Sequence, residues 1–389
     1  MARKARLGFA LFKRSIFTFR CYKETGKEAA IPLSRHKPSL VDLFCGCGGA
    51  SLGFKLAGCE IVGAVDIDAS ACETFYRNLK VRPVVADLRK IDGGAILGTY
   101  GLKKGDVEIL VGCPPCQGFS SLRRTRKRDE IDPRDNLVLI FAQRIAEISP
   151  RIIVFENVSG ITQGRGKTYL EAFFKKTEKL EYKTVSGVVQ AADYGVPQFR
   201  KRMISIGIRE DDPSVDALSL PEPTNADPQM ADELGRSPWK TVKDAIGDLP
   251  PLRHGTASPY PPNHIAIKHN PKALEIIRNI PKDGGSRSSL PKELWLPCHK
   301  DLNGAENVYG RMSWSKPGPT ITSRCTTPSC GRFIHPEQDR AITPREAARL
   351  QSFPDYFTFY GTYSAIAKHI GNAMPVDLTS AIGEELVHL

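Results

Sequence analysis

From residue 39 onward the chain alternates short, nearly uninterrupted apolar runs with longer helix-like segments. Residues 40–44, 61–65, 84–86, 107–111 and 152–155 are too short for helices and too apolar to leave one face in water. Such runs predict strands buried on both faces, hence a largely parallel sheet covered by helices on either side, an α/β fold. Two more runs, 185–189 and 203–208, complete the sheet, and no internal repeat breaks the pattern.

Beyond Arg209 the pattern changes. Ten prolines fall between Pro213 and Pro262, and proline removes a backbone donor and blocks helices. Long helices are therefore not expected there, and residues 210–340 read as a second, smaller, loop-rich domain beside a first domain at 38–209. Order returns at Thr343-Pro344-Arg345-Glu346, where Thr caps, Pro suits the first helical position and Glu completes a capping box. That helix should run to about Gln351 and stop before Pro354, making 341–363 an organising helix and hinge. Residues 364–389, helical after Pro375, are expected to return to the first domain.

Composition adds a partner. The formal charge is +12, and residues 1–39 hold ten Lys/Arg against Glu24 and Glu28. Residues 1–37 read as a basic, poorly ordered extension: a transit peptide, a basic arm for DNA, or an overlong translation start. No apolar run approaches the ~20 residues that span a bilayer, and the stretch 7–19 is broken by Lys13 and Arg14, so no membrane partner is expected. The ten cysteines lack the spacing of a disulfide framework, which points to a reducing cytoplasm.

Chemistry concentrates at strand ends. In Gly112-Cys113-Pro114-Pro115-Cys116-Gln117-Gly118-Phe119-Ser120 a rigid diproline follows a strand and displays Cys116 as a nucleophile. The basic run Arg123, Arg124, Arg126, Lys127 and Arg128 would favour its thiolate and attract a polyanion to the same place. Cys113 and Cys116 also make a C-x-x-C pair, but no second pair has knuckle spacing and the diproline suits a redox helix poorly, so no metal is expected. At the other end Asp42-Leu43-Phe44-Cys45-Gly46-Cys47-Gly48-Gly49 joins the first strand to a helix, a turn where a ligand can approach backbone. Asp66 and Asp87 close the next two strands, placed to meet ribose hydroxyls and an adenine amino group. The glycine spacing is not that of a dinucleotide fingerprint, so an adenosine ligand without a pyrophosphate is favoured.

The order of these pieces resembles the DNA (cytosine-5) methyltransferase family over about residues 39–376. The carrying motifs are DLFCGCGG at 42–49, GCPPCQGFS at 112–120, ENV at 156–158, QFRKR at 198–202, TPREAARLQSFP at 343–354 and GNAMP at 371–375. The resemblance implies a Rossmann-like S-adenosylmethionine-dependent sheet with a target-recognition domain at 210–340. It makes Cys116 the nucleophile on carbon 6 of cytosine, Glu156 the group on ring nitrogen 3, and Arg202, supported by Arg200, the holder of the cytosine carbonyl. Asn157 and Gln198 brace the site. S-adenosylmethionine would meet Phe44, Gly46, Gly49, Asp66, Ile67, Asp87, Leu88, Pro114, Leu137 and Asn372. Ile67 stands where an aromatic often stacks on adenine in this family, so the contacts there would be aliphatic.

The target carbon lies inside a duplex, so such an enzyme flips the base out. Gln117, Ser120, Arg123, Arg124, Arg126, Lys127 and Arg128 are the expected DNA contacts, in a loop closing over the duplex. Arg287, Lys292, His299, Arg311, Arg324 and Arg332 are further candidates for phosphate or base contact. The implied protein is a monomeric methylase of the bacterial cytoplasm, associated with the nucleoid: either the modification enzyme of a pair whose cognate restriction endonuclease acts separately, or a solitary methylase, including one protecting phage DNA, which would look the same in this chain. Two other readings are a transfer-RNA cytosine-5 methyltransferase, expected to carry a Cys-Phe-Thr signature, and a catalytically silent DNA-binding regulator, expected to have lost Cys116, Glu156 or an arginine of QFRKR; this chain shows neither departure.

Overall fold

The seven expected strands are present and form one sheet in the order β3-β2-β1-β4-β5-β7-β6. They are β1 (Ser39–Leu43), β2 (Glu60–Asp66), β3 (Val84–Val85), β4 (Ile109–Gly112), β5 (Ile152–Val158), β6 (Tyr182–Gln190) and β7 (Lys201–Arg209). This computed structural model describes residues 36–115, 135–296 and 307–389. Strands β1 to β5 run parallel, whereas β7 lies antiparallel between β5 and β6. That reversal is the one departure from a parallel sheet, and hydrophobic periodicity carries no information about strand direction.

Both faces are buried, as the continuous apolar runs require. Leu40, Ile109, Val111, Ile152 and Val154 belong to one core cluster, with Phe54 of α1 (Gly49–Leu56) and Phe75 of α2 (Ala69–Leu79). The alternate residues Val41, Leu43, Leu110, Ile153 and Phe155 join the other. There Phe141 of α4 (Leu137–Ile148) and Phe173 of α5 (Gly164–Lys179), helices that follow α3 (Gly93–Thr99), stack on Phe155, with centroids 6.2 and 4.6 Å away. Gly112 ends β4 against this stack, and a Cβ there would sit 2.4 Å from the Phe141 ring. The close approach fixes where the Cys113–Pro114 segment leaves the sheet.

The C-terminal segment closes on α1. The helix Val376–Leu386 crosses it so tightly that a Cβ on Gly53 would fall 1.9 Å from Thr379 Oγ1. A helix at Tyr363–Asn372, not expected from the sequence, precedes it, capped by Thr362, whose side chain accepts from the Ala365 amide. The helix Pro344–Leu350 forms with the expected capping box between Thr343 and Glu346.

Between residues 210 and 340 the longest of the described helices, Pro271–Asn279, has nine residues. Ile276, Ile277, Ile280, Leu290, Tyr309 and Ile334 form a small core there, while Val242, Ile246 and Ile321 join the core under the sheet. Loops without ladders leave carbonyls in need of donors, and buried arginines supply them. Arg311 is fully buried and donates to the carbonyls of Ile277, Ile280, His335 and Gln338 and to Asp339. It is a structural cross-link, which corrects its place among the candidate DNA contacts. Arg332 likewise donates to the carbonyls of Gly284, Gly285 and Arg311, and Arg287 is buried, whereas Lys292 and Arg324 are exposed. His299 lies outside the described residues.

Candidate active site

The strand order reverses between β1 and β4, the point where open parallel sheets leave a crevice at their carboxyl edge. The turn after β1 forms its first wall. Phe44 has φ +84° and Gly46 φ +52°, and the amides of Phe44 and Cys45 both donate to the Val65 carbonyl. Gly46 N–H donates to Asp66 Oδ2 (2.8 Å), while Asp68 N–H donates to Asp66 Oδ1 (2.8 Å). Asp66 therefore ties the first two strand ends together, and burial raises its pKa above the ordinary carboxylate value.

A Cβ on Gly46 would meet nothing within 4 Å, so the turn opens onto free space. Beside it Ile67 is 64% exposed and Val85, paired with Asp66 across β2 and β3, is 53% exposed. Bare aliphatic surface beside a carboxylate at a strand end suits an adenosine, so these residues fit the expected cofactor. Other expected contacts have second commitments. Arg89 donates to both oxygens of Asp87, and the pair depresses the Asp87 pKa. Gly49 serves packing, since a Cβ there would lie 2.5 Å from the Met374 carbonyl. Leu88, Leu137 and Pro114 are buried, and Asn372 is exposed at the end of its helix.

The second wall comes from β4, β5 and β7. Arg202 Nε donates to Glu156 Oε1 at 2.7 Å, each side chain being 11% exposed. The neighbouring Asn157 donates to the Pro114 carbonyl (3.3 Å), fixing the strand exit that leads to Cys116. Cys113 approaches Met374 Sδ (3.4 Å), and burial with the nearby Glu156 carboxylate holds its thiol well above the ordinary value. Of the C-x-x-C pair, Cys113 is thus a neutral thiol. Cys116, Gln117, Ser120, Arg123, Arg124, Arg126, Lys127 and Arg128 lie outside the described residues.

Arg200 sits behind this wall. Its guanidinium donates to the carbonyls of Ile321 (2.8 Å) and Ala373 (3.1 Å), bridging the loop-rich region and the C-terminal segment. Gln198 donates to Gln351 Oε1 and the Leu350 carbonyl and accepts from the Ile321 amide, and Gln351 donates to the carbonyls of Ile370 and Ala373. Arg345 donates to the carbonyls of Pro262, Pro354 and Phe357. Sequence reasoning missed Gln351 and a cluster of Asp68, Ser70, Lys368 and His369 beside the crevice. Asp68 has a local signal, since it caps α2, but the cluster joins positions about 300 residues apart.

A seven-stranded sheet with this order, one reversed strand and a polar carboxyl edge is that of a Rossmann-like S-adenosylmethionine-dependent methyltransferase. Within that class, the C-5 cytosine-specific DNA methylase model matches residues 39–388, and the chain belongs to that family. It is 34% identical to the Type II methylase M.HgiDII of Herpetosiphon aurantiacus, over 90% of this chain and 94% of that one. It is 35% identical to the Type II methyltransferase M1.HphI of Haemophilus parahaemolyticus, over 90% and 86%. A crystal structure described as a DNA modification methyltransferase encoded within an E. coli prophage superposes with a TM-score of 0.68 at 25% identity, covering 91% of this chain and 99% of that one. Among the described residues no helix is long and apolar enough to cross a membrane.

Proposed function

We propose that the chain methylates carbon 5 of cytosine within a specific duplex DNA sequence, as the modification enzyme of a restriction-modification system. The observation that carries the reading is the Glu156–Arg202 pair at the crevice, next along β5 from Phe155, which pairs with Gly112 at the exit to Cys116. S-adenosylmethionine, when bound, supplies a methyl group on an electrophilic sulfonium carbon. Phe44, Gly46, Asp66, Ile67, Asp87 and Asn372 are the residues that would hold it.

The chemistry assigned to this chain starts with a flipped cytosine. The Cys116 thiolate forms a bond to carbon 6, and the electrons of the 5,6 double bond pass towards carbon 5. Glu156 donates a proton or hydrogen bond to nitrogen 3, which stabilises the resulting enamine. Arg202 orients Glu156 and holds the ring carbonyl. Once carbon 5 is methylated, its proton passes to solvent, the electrons of that C–H bond re-form the 5,6 double bond, and the Cys116 sulfur leaves carbon 6 as a thiolate. The basic run 123–128 contributes phosphate contacts, and residues 210–340 supply sequence choice.

The test is base-resolution methylation sequencing of unmethylated duplex DNA, and of transfer RNA beside it, after incubation with the protein and S-adenosylmethionine, with Cys116→Ala in parallel. Methyl marks in one short motif, absent with the variant, are the expected result. Marks on transfer RNA instead, or marks made equally by the variant, would overturn the substrate or the nucleophile.

A further inference from the structure

His369 joins the turn after β1 to the start of α2 on one side of the crevice. It lies in the helix Tyr363–Asn372, is 4% exposed, and places Nε2 3.1 Å from Ser70 Oγ and 3.6 Å from Asp68 Oδ2. Its carbonyl accepts from Cys47 Sγ (3.5 Å), next to Gly46, and from the Ala373 amide (3.1 Å). The Ser70 hydroxyl donates to Asp68 Oδ1 at 2.8 Å, which commits its proton, so its oxygen accepts from the ring. The neutral ring therefore carries its proton on Nε2. Its Nδ1 is then a buried acceptor that has no hydrogen-bond partner among the described residues. A buried acceptor without a donor is costly. The ring is thus held here by what its other edge does.

That edge reaches Asp68 through the Ser70 hydroxyl, and the Asp68 amide orients Asp66, whose other oxygen orients Gly46. Lys368 also reaches Asp68 Oδ2 (2.8 Å), but its side chain is 52% exposed, and pairs in water contribute little. The buried imidazole adds a hydrogen bond to Ser70 that is shielded from water. We propose that His369 is a positioning residue for S-adenosylmethionine, clasping the helix that presents Asn372 to the Asp66–Asp68 turn so that the crevice keeps its binding shape. This rests on the reading of the crevice as the cofactor site.

The experiment is calorimetric titration of the full chain with S-adenosylmethionine, alongside steady-state kinetics, for the unaltered protein and for His369→Ala, His369→Gln and Ser70→Ala. His369→Ala should raise Kd and the cofactor KM about tenfold, the scale of coupling between contacting residues, with a much smaller fall in kcat. His369→Gln, whose amide N–H can still reach Ser70, should restore most of the affinity. Ser70→Ala should weaken binding in the same direction and add little on top of His369→Ala. Wild-type affinity in His369→Ala, or a loss of kcat at unchanged KM, would overturn the inference. Absence of binding by the unaltered chain would instead overturn the cofactor reading beneath it.

Discussion

Arg202 Nε and Glu156 Oε1 meet at 2.7 Å across the antiparallel pairing of β5 with β7, where the parallel part of the sheet gives way to the reversed strand. The reversal brings the start of β7 to the end of β5, where Val158 pairs with Arg202. A guanidinium fixes a carboxylate through a planar fork that an ammonium cannot reproduce. Arg202→Lys keeps the charge and should lower the single-turnover methylation rate on the order of 10²-fold, the scale of losing one preorganised donor. Thermal stability should change little. A rate equal to wild type would remove the guanidinium geometry from the mechanism.

Ile67 presents bare aliphatic surface beside Asp66, with Val85 next to it. If adenine lies against this surface, an aromatic ring should hold it better, since such stacking adds about 0.5–1.5 kcal/mol beyond area burial. Ile67→Trp should lower the calorimetric Kd for S-adenosylmethionine by roughly two- to tenfold. An unchanged Kd would place the adenine elsewhere.

All seven strands are legible because strands buried on both faces are written as continuous apolar runs, Leu110 and Val111 alternating between two cores. The direction of β7 is not, because no residue pattern encodes it. Glu156 can be picked out as a carboxylate ending the apolar run of β5, a position that sequence exposes directly. Arg311 cannot be read correctly. A basic residue in a proline-rich segment looks like surface until the carbonyls of Ile277, Ile280, His335 and Gln338 are seen converging on it. His369 is silent for a related reason, since Asp68 and Ser70 reach it only after the C-terminal helix docks.

Arg340 and Glu346 form a fully buried fork, with contacts of 2.6 and 2.8 Å, and Glu346 also accepts from the Thr343 amide. These bonds outweigh burial and hold the Glu346 pKa at about 2 against 4.5. A depressed carboxylate contributes stability above its unfolded pKa and loses it as pH falls from about 4.5 towards 2. Glu346→Gln leaves the guanidinium buried and unpaired, which should cost about 3–5 kcal/mol at neutral pH. Urea unfolding would check this, and a cost under about 1 kcal/mol, the level of an exposed pair, would contradict it. His269 and His335, held by burial at about 4 against 6.5, add a second acid sensitivity. Their neutral forms are favoured by folding, so stability falls as pH drops from about 6.5 through 4.

Asp42 works in the opposite direction. It is fully buried in β1, accepts the Ser51 hydroxyl at one oxygen (2.6 Å), and has no hydrogen-bond partner for the other among the described residues. Burial, reinforced by the nearby Asp66 charge, raises its pKa from 3.8 to about 7. The folded state then binds more protons than the unfolded chain between those values, so stability falls as pH rises through that window and the cost is fully present above about 7. Asp42→Asn keeps an acceptor for Ser51 and removes the charge. It should stabilise the protein at pH about 8 by a few kcal/mol relative to its effect at pH about 5, since a tenfold change in an acidity constant corresponds to about 1.4 kcal/mol. The amide also places an N–H where the bare oxygen stood, a cost that is the same at both pH values. The comparison between pH values therefore isolates the charge. Equal changes in urea midpoint at the two would show that Asp42 is ionised throughout, its burial offset by a donor to the second oxygen.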